Sequence, residues 1–182
     1  MDLEGKKTKE NLQQALIGES LARNKYTYYA MAARKEGMDE VADALERMAK
    51  NEMMHARFWF QQLYGPCGDT VKNLREAAAG EFAEWHGMYP EFARQAREEG
   101  LEELASLFER VAAIEKDHEH QFMKLLSGLG RTQPAPGAEE EPAFELRQGY
   151  RCQFCGAVYG AQPAACSTCG AVGAFEPCTY RR

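Results

Sequence analysis

The sequence predicts an all-α four-helix bundle followed by a small metal-stapled domain of strands and loops. Three observations lead there. Residues 1–127 hold all eight methionines but only two of the seven prolines, and they are rich in Ala, Glu, Leu, Met, Arg and Lys, the strong helix formers. Within that region a helical hairpin occurs twice: at an offset of 63 residues, 13 of the 30 positions from 26 to 55 recur. Past residue 130 the composition turns to Pro, Gly and Cys, and four of the six cysteines fall in residues 152–169 as two C-x-x-C pairs.

The elements follow in order. Helices are expected over 8–35, 38–64, 71–99 and 101–127. Gly37 and Gly100 end helix-like runs and suit left-handed caps. Residues 65–69 form a loop, with Asp69 or Thr70 as the cap of the third helix. Pro90 should kink that helix, unless a local bulge absorbs the lost hydrogen bond. The repeat makes the four helices two copies of one hairpin, so a site between the copies would have near-twofold symmetry. A Pro/Gly/acidic stretch from Gly128 to Pro142 cannot bury a core and reads as a linker. The expected division is a helical domain over 1–130, a linker over 131–148 and a cysteine domain over 149–182. That last piece is too small for an apolar core, so a metal is its expected staple.

Charge and composition narrow the function. The 182 residues carry 22 Lys+Arg against 28 Asp+Glu, a net charge of −6, which argues against a nucleic-acid partner. No apolar run approaches 18 residues and no basic-then-apolar leader is visible, so neither a membrane span nor a signal peptide is expected. Paired cysteines point to a metal site in a reducing compartment rather than to a disulfide framework.

The helical stripes carry the chemistry. Met38, Val41, Leu45 and Met48 share one face, which continues into Glu52, His55 and Trp59. Leu101, Leu104, Phe108 and Val111 do the same, continuing into Glu115, His118 and Phe122. The first helix places Leu12, Ala15 and Leu16 before Glu19, then Ala22 and Tyr26. The third places Leu74 and Ala78 before Glu81 and Glu84, with Met88 and Phe92 after. Carboxylates therefore stand where each pattern demands core residues. Five buried unpaired glutamates would cost several kcal/mol apiece, roughly, so cations are the simplest partners. One Glu from each of two helices plus Glu-x-x-His from each of the other two is a dinuclear carboxylate pattern, suited to iron or manganese. His86 and His120 lie off the ligand face. Tyr26 and Tyr89 occupy equivalent repeat positions, either as core aromatics or as hydroxyls near the metals.

Cys152, Cys155, Cys166 and Cys169 form two knuckles that suit a tetrahedral four-thiolate ion, zinc or iron. Spacing alone favours zinc. Cys67 and Cys178 have no partner in this pattern and read as free thiols.

These residues resemble the rubrerythrin family nearly end to end. The resemblance runs through Gly18-Glu19-Ser20-x-Ala22-Arg23-Asn24-x-Tyr26, Glu52-x-x-His55-Ala56, Gly80-Glu81-x-x-Glu84, Met88-Tyr89-Pro90-x-Phe92-Ala93 and Glu115-x-x-His118. These are similar to a ferritin-like di-iron domain. Tyr150-Arg151-Cys152-x-x-Cys155-Gly156 resembles a rubredoxin-like domain. The second knuckle departs from the family's usual Cys-Pro-x-Cys, with Ser167 where Pro is common.

The resemblance implies a cytoplasmic non-haem di-iron peroxidase that reduces hydrogen peroxide to water in oxidative stress defence. It implies Glu19, Glu52, His55, Glu81, Glu84, Glu115 and His118 as ligands of two irons, with Glu52 and Glu115 bridging and Glu84 and His55 exchanging on one iron. It implies a single iron at the four cysteines, reversing the preference for zinc, though zinc can occupy that site in a purified sample. It also implies a homodimer and an external NAD(P)H-dependent reductase or rubredoxin-type donor, since no G-x-G-x-x-G nucleotide fingerprint is present. Tyr26 and Tyr89 would hydrogen-bond peroxide or a carboxylate. Rival readings are a ferroxidase or iron-handling protein, and a bundle with a structural zinc ribbon that binds a partner.

Overall fold

The computed structural model describes residues 3–129 and 146–181. Residues 130–145, which include positions 131–145 of the expected linker, lie outside the described residues. The elements are α1 (Lys7–Lys35), α2 (Asp39–Tyr64), α3 (Thr70–Ala83), a π-helical turn (Glu84–Met88), α4 (Tyr89–Glu98), α5 (Glu102–Leu129), β1 (Leu146–Cys152), β2 (Val158–Tyr159) and β3 (Phe175–Arg181). They group into two units, Met1–Cys67 and Gly68–Arg182.

The first unit is the hairpin of α1 and α2. Its turn needs Gly37, which sits at φ +75°, where a Cβ would be strained. The Met38 N–H donates to the Ala33 carbonyl at 2.9 Å, closing a Schellman-type cap. Small side chains then let the helices approach: Ala30, Ala33 and Ala42 are buried together, with Leu45 against them. Arg34 reaches Asp39, Asp43 and Glu46 across the turn, exposed pairs that add little stability.

The second unit repeats this hairpin in α4 and α5. Gly100 sits at φ +78° and Leu101 N–H donates to the Ala96 carbonyl at 2.8 Å. Ala93, Ala96 and Ala105 are buried with Phe108 against them. Each of these residues lies 63 positions after its counterpart. Arg97 meets Glu102 and Glu109, as Arg34 meets Glu46. Asp69, not Thr70, caps α3, its carboxylate accepting from the Lys72 N–H at 2.8 Å.

Two expectations need correction. The third helix does not run unbroken over 71–99. It is interrupted by the π turn at Glu84–Met88, where Tyr89 N–H donates to the carbonyl of Glu84. Pro90 has no N–H to give, and the wider turn places it at the start of α4, where none is required. The bulge thus takes the place of a simple kink. The second correction concerns the apolar stripes. Met38, Val41, Met48, Leu101 and Leu104 are about half exposed, not core. No charged or polar residue among the described residues is fully buried; the four clustered glutamates are partly covered.

The cysteine domain is a three-stranded antiparallel sheet in the order β2-β1-β3, with Tyr150 opposite Tyr159 and Gly149 opposite Cys178. Its two knuckles share one hydrogen-bond pattern. Gly156 and Gly170 N–H groups donate to the Cys152 and Cys166 carbonyls at 2.9 and 2.8 Å, while Cys152 and Cys166 N–H groups donate to the Ala157 and Ala171 carbonyls at 2.8 and 2.7 Å. Its small core is Cys152, Ala157 and Cys166, joined by Ile114 of α5, with Phe175 and Tyr159 packed alongside.

Candidate metal centres

In the first unit, α1 supplies Glu19 and α2 supplies Glu52 and His55. Residues three apart on a helix lie on one face, so His55 Nδ1 stands 2.7 Å from Glu52 Oε2 and 3.8 Å from Glu19 Oε2. In the second unit, α3 supplies Glu81 and α5 supplies Glu115 and His118. His118 Nδ1 stands 2.6 Å from Glu115 Oε2 and 3.9 Å from Glu81 Oε1. The sequence repeat thus extends to the donor geometry. In each trio the candidate donor atoms lie within 4.8 Å of one another, close enough to share one cation. The four carboxyl side chains are 16–29% exposed. Burial first, then the neighbouring Glu115, pushes the Glu81 carboxyl up, with His118 opposing.

Glu84 stands outside both trios and opens the π turn. Tyr89 follows that turn. Burial, reinforced by Glu84, Glu115 and Glu81, pushes its hydroxyl above the usual value, while its ring packs near Phe92 and Phe108. Tyr89 is thus a partly buried aromatic whose hydroxyl stands within the carboxylates' field. Tyr26 is partly buried on α1. His86 stacks on Phe82 and His120 faces the Lys116 carbonyl at 2.9 Å, both exposed and away from the trios.

Sequence reading allowed a local bulge near Pro90 without placing it at Glu84–Met88, although the signal was present. Asn11, Leu12, Ala15, Gly18 and Glu19 match Asn73, Leu74, Ala77, Gly80 and Glu81 at an offset of 62, whereas Tyr26 and all later matches need 63. One residue is inserted between Glu81 and Tyr89, and an insertion into a continuous helix is a π bulge. Glu84 also lies opposite Ala22 in this alignment, so the second hairpin carries one carboxylate more.

At the tail, Cys152 Sγ lies 3.7 Å from Cys169 Sγ, and Cys155 Sγ lies 3.6 Å from Cys166 Sγ. Four sulfurs about 2.3 Å from a central ion would be about 3.8 Å apart in a tetrahedron, so the cluster fits a four-thiolate metal. Burial acts to raise the Cys166 thiol, but hydrogen bonds from Tyr159 Oη and the Cys169 and Thr168 amides outweigh it and hold it at about 6. Burial pushes Cys155, Cys169 and Cys178 up. Ser167 has a use here. Its N–H donates to Tyr159 Oη at 3.0 Å, and Tyr159 Oη lies 3.0 Å from Cys166 Sγ. A proline at 167 could not make the first bond.

The knuckle meets the second trio directly. Gly156 sits at φ +78°, and a Cβ there would lie 2.7 Å from His118 Nε2 and 3.0 Å from Ile114 Cγ2. His118 thus turns Nδ1 to the carboxylates and its other edge to the Cys155–Gly156 backbone. Arg151 secures the contact, donating to Asp117 at 2.8 Å and to Gln121 at 2.9 Å.

The rubrerythrin family model matches residues 10–71 and 72–148, which include both Glu-x-x-His helices. The chain belongs to the rubrerythrin family. It is 35% identical to rubrerythrin of Porphyromonas gingivalis, over 96% of this chain and 92% of that one. It is 38% identical to rubrerythrin of Nitratidesulfovibrio vulgaris, over 92% and 91%. The solved structure of nigerythrin in its fully reduced, all-ferrous state covers 93% of this chain and 86% of that one at 26% identity, with a TM-score of 0.42. The family comprises di-iron proteins of oxidative stress defence. Its iron finds two kinds of donor here, di-iron-like Glu/His groups and a four-cysteine cluster. Among the described residues no helix is long and apolar enough to cross a membrane.

Proposed function

We propose that the chain is a cytoplasmic, homodimeric non-haem di-iron peroxidase, turning hydrogen peroxide, two electrons and two protons into two waters. Residues 1–130 form its reaction domain and 149–182 its electron-delivery domain. Electrons come from a separate NAD(P)H-dependent reductase or rubredoxin-type donor. The observation that carries the reading is the contact of Gly156 with His118. It joins a four-thiolate redox knuckle to a candidate ligand of the dinuclear site, an arrangement that iron storage does not need.

Glu19, Glu52, His55, Glu81, Glu84, Glu115 and His118 would hold two irons, and the four cysteines one more. Iron bound in that donor set would supply the two electrons of O–O cleavage and the Lewis acidity that polarises it. The chain's own groups do the rest. The carboxylates balance the charge of the ions. Each imidazole turns Nδ1 to the glutamate three residues earlier, so that nitrogen and carboxylate would hold the same ion. Tyr89, its hydroxyl raised and so protonated at neutral pH, can donate a hydrogen bond to a peroxide or carboxylate oxygen; Tyr26 does so from the other hairpin. Tyr159 Oη lies 3.0 Å from Cys166 Sγ, and its O–H, donated to that thiolate, would favour the reduced, more negative form of a bound iron.

The test is stopped-flow reaction of the reduced protein with hydrogen peroxide and, separately, dioxygen, with iron measured on the same sample. About three irons per chain and a faster reaction with peroxide are expected. One zinc and no iron would sink the reading in favour of a structural role, and a preference for dioxygen with ferrous iron would favour ferroxidase chemistry.

A further inference from the structure

A π turn is rare inside a helix, because it gives up the regular hydrogen-bond ladder, so contacts from outside the helix have to hold it. Here the turn Glu84–Met88 is held from α5, through Trp85. The indole Nε1–H donates to Glu119 Oε2 at 2.6 Å, a charge-assisted hydrogen bond. Lys116 Nζ lies over the same indole, 4.9 Å from the ring centre, where the π face attracts a cation. Phe82 meets the ring edge-on at 5.4 Å. Trp85 and Glu119 are both partly buried, which shields their bond from water.

These contacts alternate with candidate metal ligands along α5. Glu115 and His118 are three residues apart and share one face. Lys116 and Glu119 are also three apart, one residue further on, which puts them about 100° around the helix axis. One stretch of α5 therefore presents ligands on one side and grips the π turn on the next. Trp85 directly follows Glu84, whose carboxylate acts with Glu81 and Glu115 on the Tyr89 hydroxyl. The first hairpin has neither part. There α1 runs unbroken over Lys7–Lys35. Met53 and Ala56 stand 63 positions before Lys116 and Glu119, and neither carries a charge to hold an indole.

We infer that Trp85, Lys116 and Glu119 are positioning residues: they clamp the π turn to α5 and so set where Glu84 stands relative to Glu115 and His118. Trp85 is no metal donor itself, since its N–H is engaged by Glu119. It acts through the backbone that it shares with Glu84. Loss of the indole N–H would leave Glu119 without its partner and loosen the turn, and Glu84 would then be spread over several positions. The consequence for iron rests on the proposed dinuclear site; the consequence for the backbone does not.

Two measurements on the full-length protein test this. The first is backbone hydrogen exchange across residues 84–92. Trp85→Phe and Glu119→Ala should each speed exchange there by about tenfold and leave α1 and α2 unchanged. Glu119→Gln should keep exchange slow, because its amide oxygen still accepts from the indole. Unchanged exchange in both Trp85→Phe and Glu119→Ala overturns the clamp. The second is iron affinity by chelator competition. Trp85→Phe should weaken one iron of the pair by about tenfold, with Glu119→Gln close to wild type. In a Glu84→Ala background Trp85→Phe should add nothing, because a positioning residue acts only through the group it positions. A merely structural contact would weaken both irons, or act by the same factor with and without Glu84, and either result overturns the assignment. Wild-type protein without dinuclear iron overturns the proposed function instead, and hydrogen exchange then decides the clamp by itself.

Discussion

The two hairpins are near copies, and their differences show how a duplicated element is specialised. Both turn at a glycine, pack on buried alanines and aim Glu-x-x-His at one side of their second helix. The second hairpin differs in two places. It has one extra residue, expressed as the π turn that carries Glu84 and re-registers Tyr89. It also has the cysteine knuckle against the outer edge of His118, where Gly156 replaces any side chain. Symmetry builds the metal-binding frame. The departures from symmetry add one carboxylate, Glu84, and the contact of the knuckle with His118, which on the proposed reading are the extra ligand and the route for electrons.

The largest expected effect tests the shared frame. Glu115→Ala should remove both dinuclear irons and leave the tail metal bound, and Glu52→Ala should do the same. Iron analysis would fall from about three to about one per chain, and peroxide turnover should be lost. Retained turnover would show that the trios are not the site.

Next comes the redox half of the asymmetry. Cys152→Ser should abolish turnover driven by a reductase, while chemically reduced dinuclear iron still reacts with peroxide in stopped-flow. The comparison sharpens at Gly156→Ala. The methyl group would clash with His118 and strain a left-handed backbone, so reductase-driven turnover should fall by about tenfold. Iron content should hold, and full activity would mean that the contact carries no electrons.

Two smaller effects remain. Glu84→Ala makes the second hairpin resemble the first, which has Ala22 at that position. It should weaken one iron of the pair by about 10–100-fold, read by chelator competition, and leave the other in place. Smallest is Tyr159→Phe, which removes the hydroxyl from Cys166 Sγ and should lower the reduction potential of the tail iron. Ser167→Pro should act in the same direction by removing the N–H that orients that hydroxyl. A potential unchanged in both variants would leave Tyr159 a packing residue.

Much of this was legible in one dimension. The 3-and-4 spacing of Met38, Val41, Leu45 and Met48 runs into Glu52 and His55, so the ligand face could be read from periodicity. Gly37 and Gly100 fixed the hairpin turns, because few other residues adopt their φ. The C-x-x-C spacing named the tail ligands, because a knuckle turn has only one comfortable geometry. Pro90 was legible as a fault in the third helix, but its form as a π turn was visible only in the change of repeat offset from 62 to 63.

The sequence by itself therefore determined the first, second and last helices, the two Glu-x-x-His faces and the two cysteine knuckles, since these depend on neighbours within a few residues along the chain. Only the tertiary structure decided what those pieces face. It left the apolar stripes half exposed, set Gly156 against His118 and used the Ser167 amide to orient Tyr159. Periodicity gives the direction of a side chain around its own axis, but it does not say which element stands opposite. That depends on packing between segments distant in sequence.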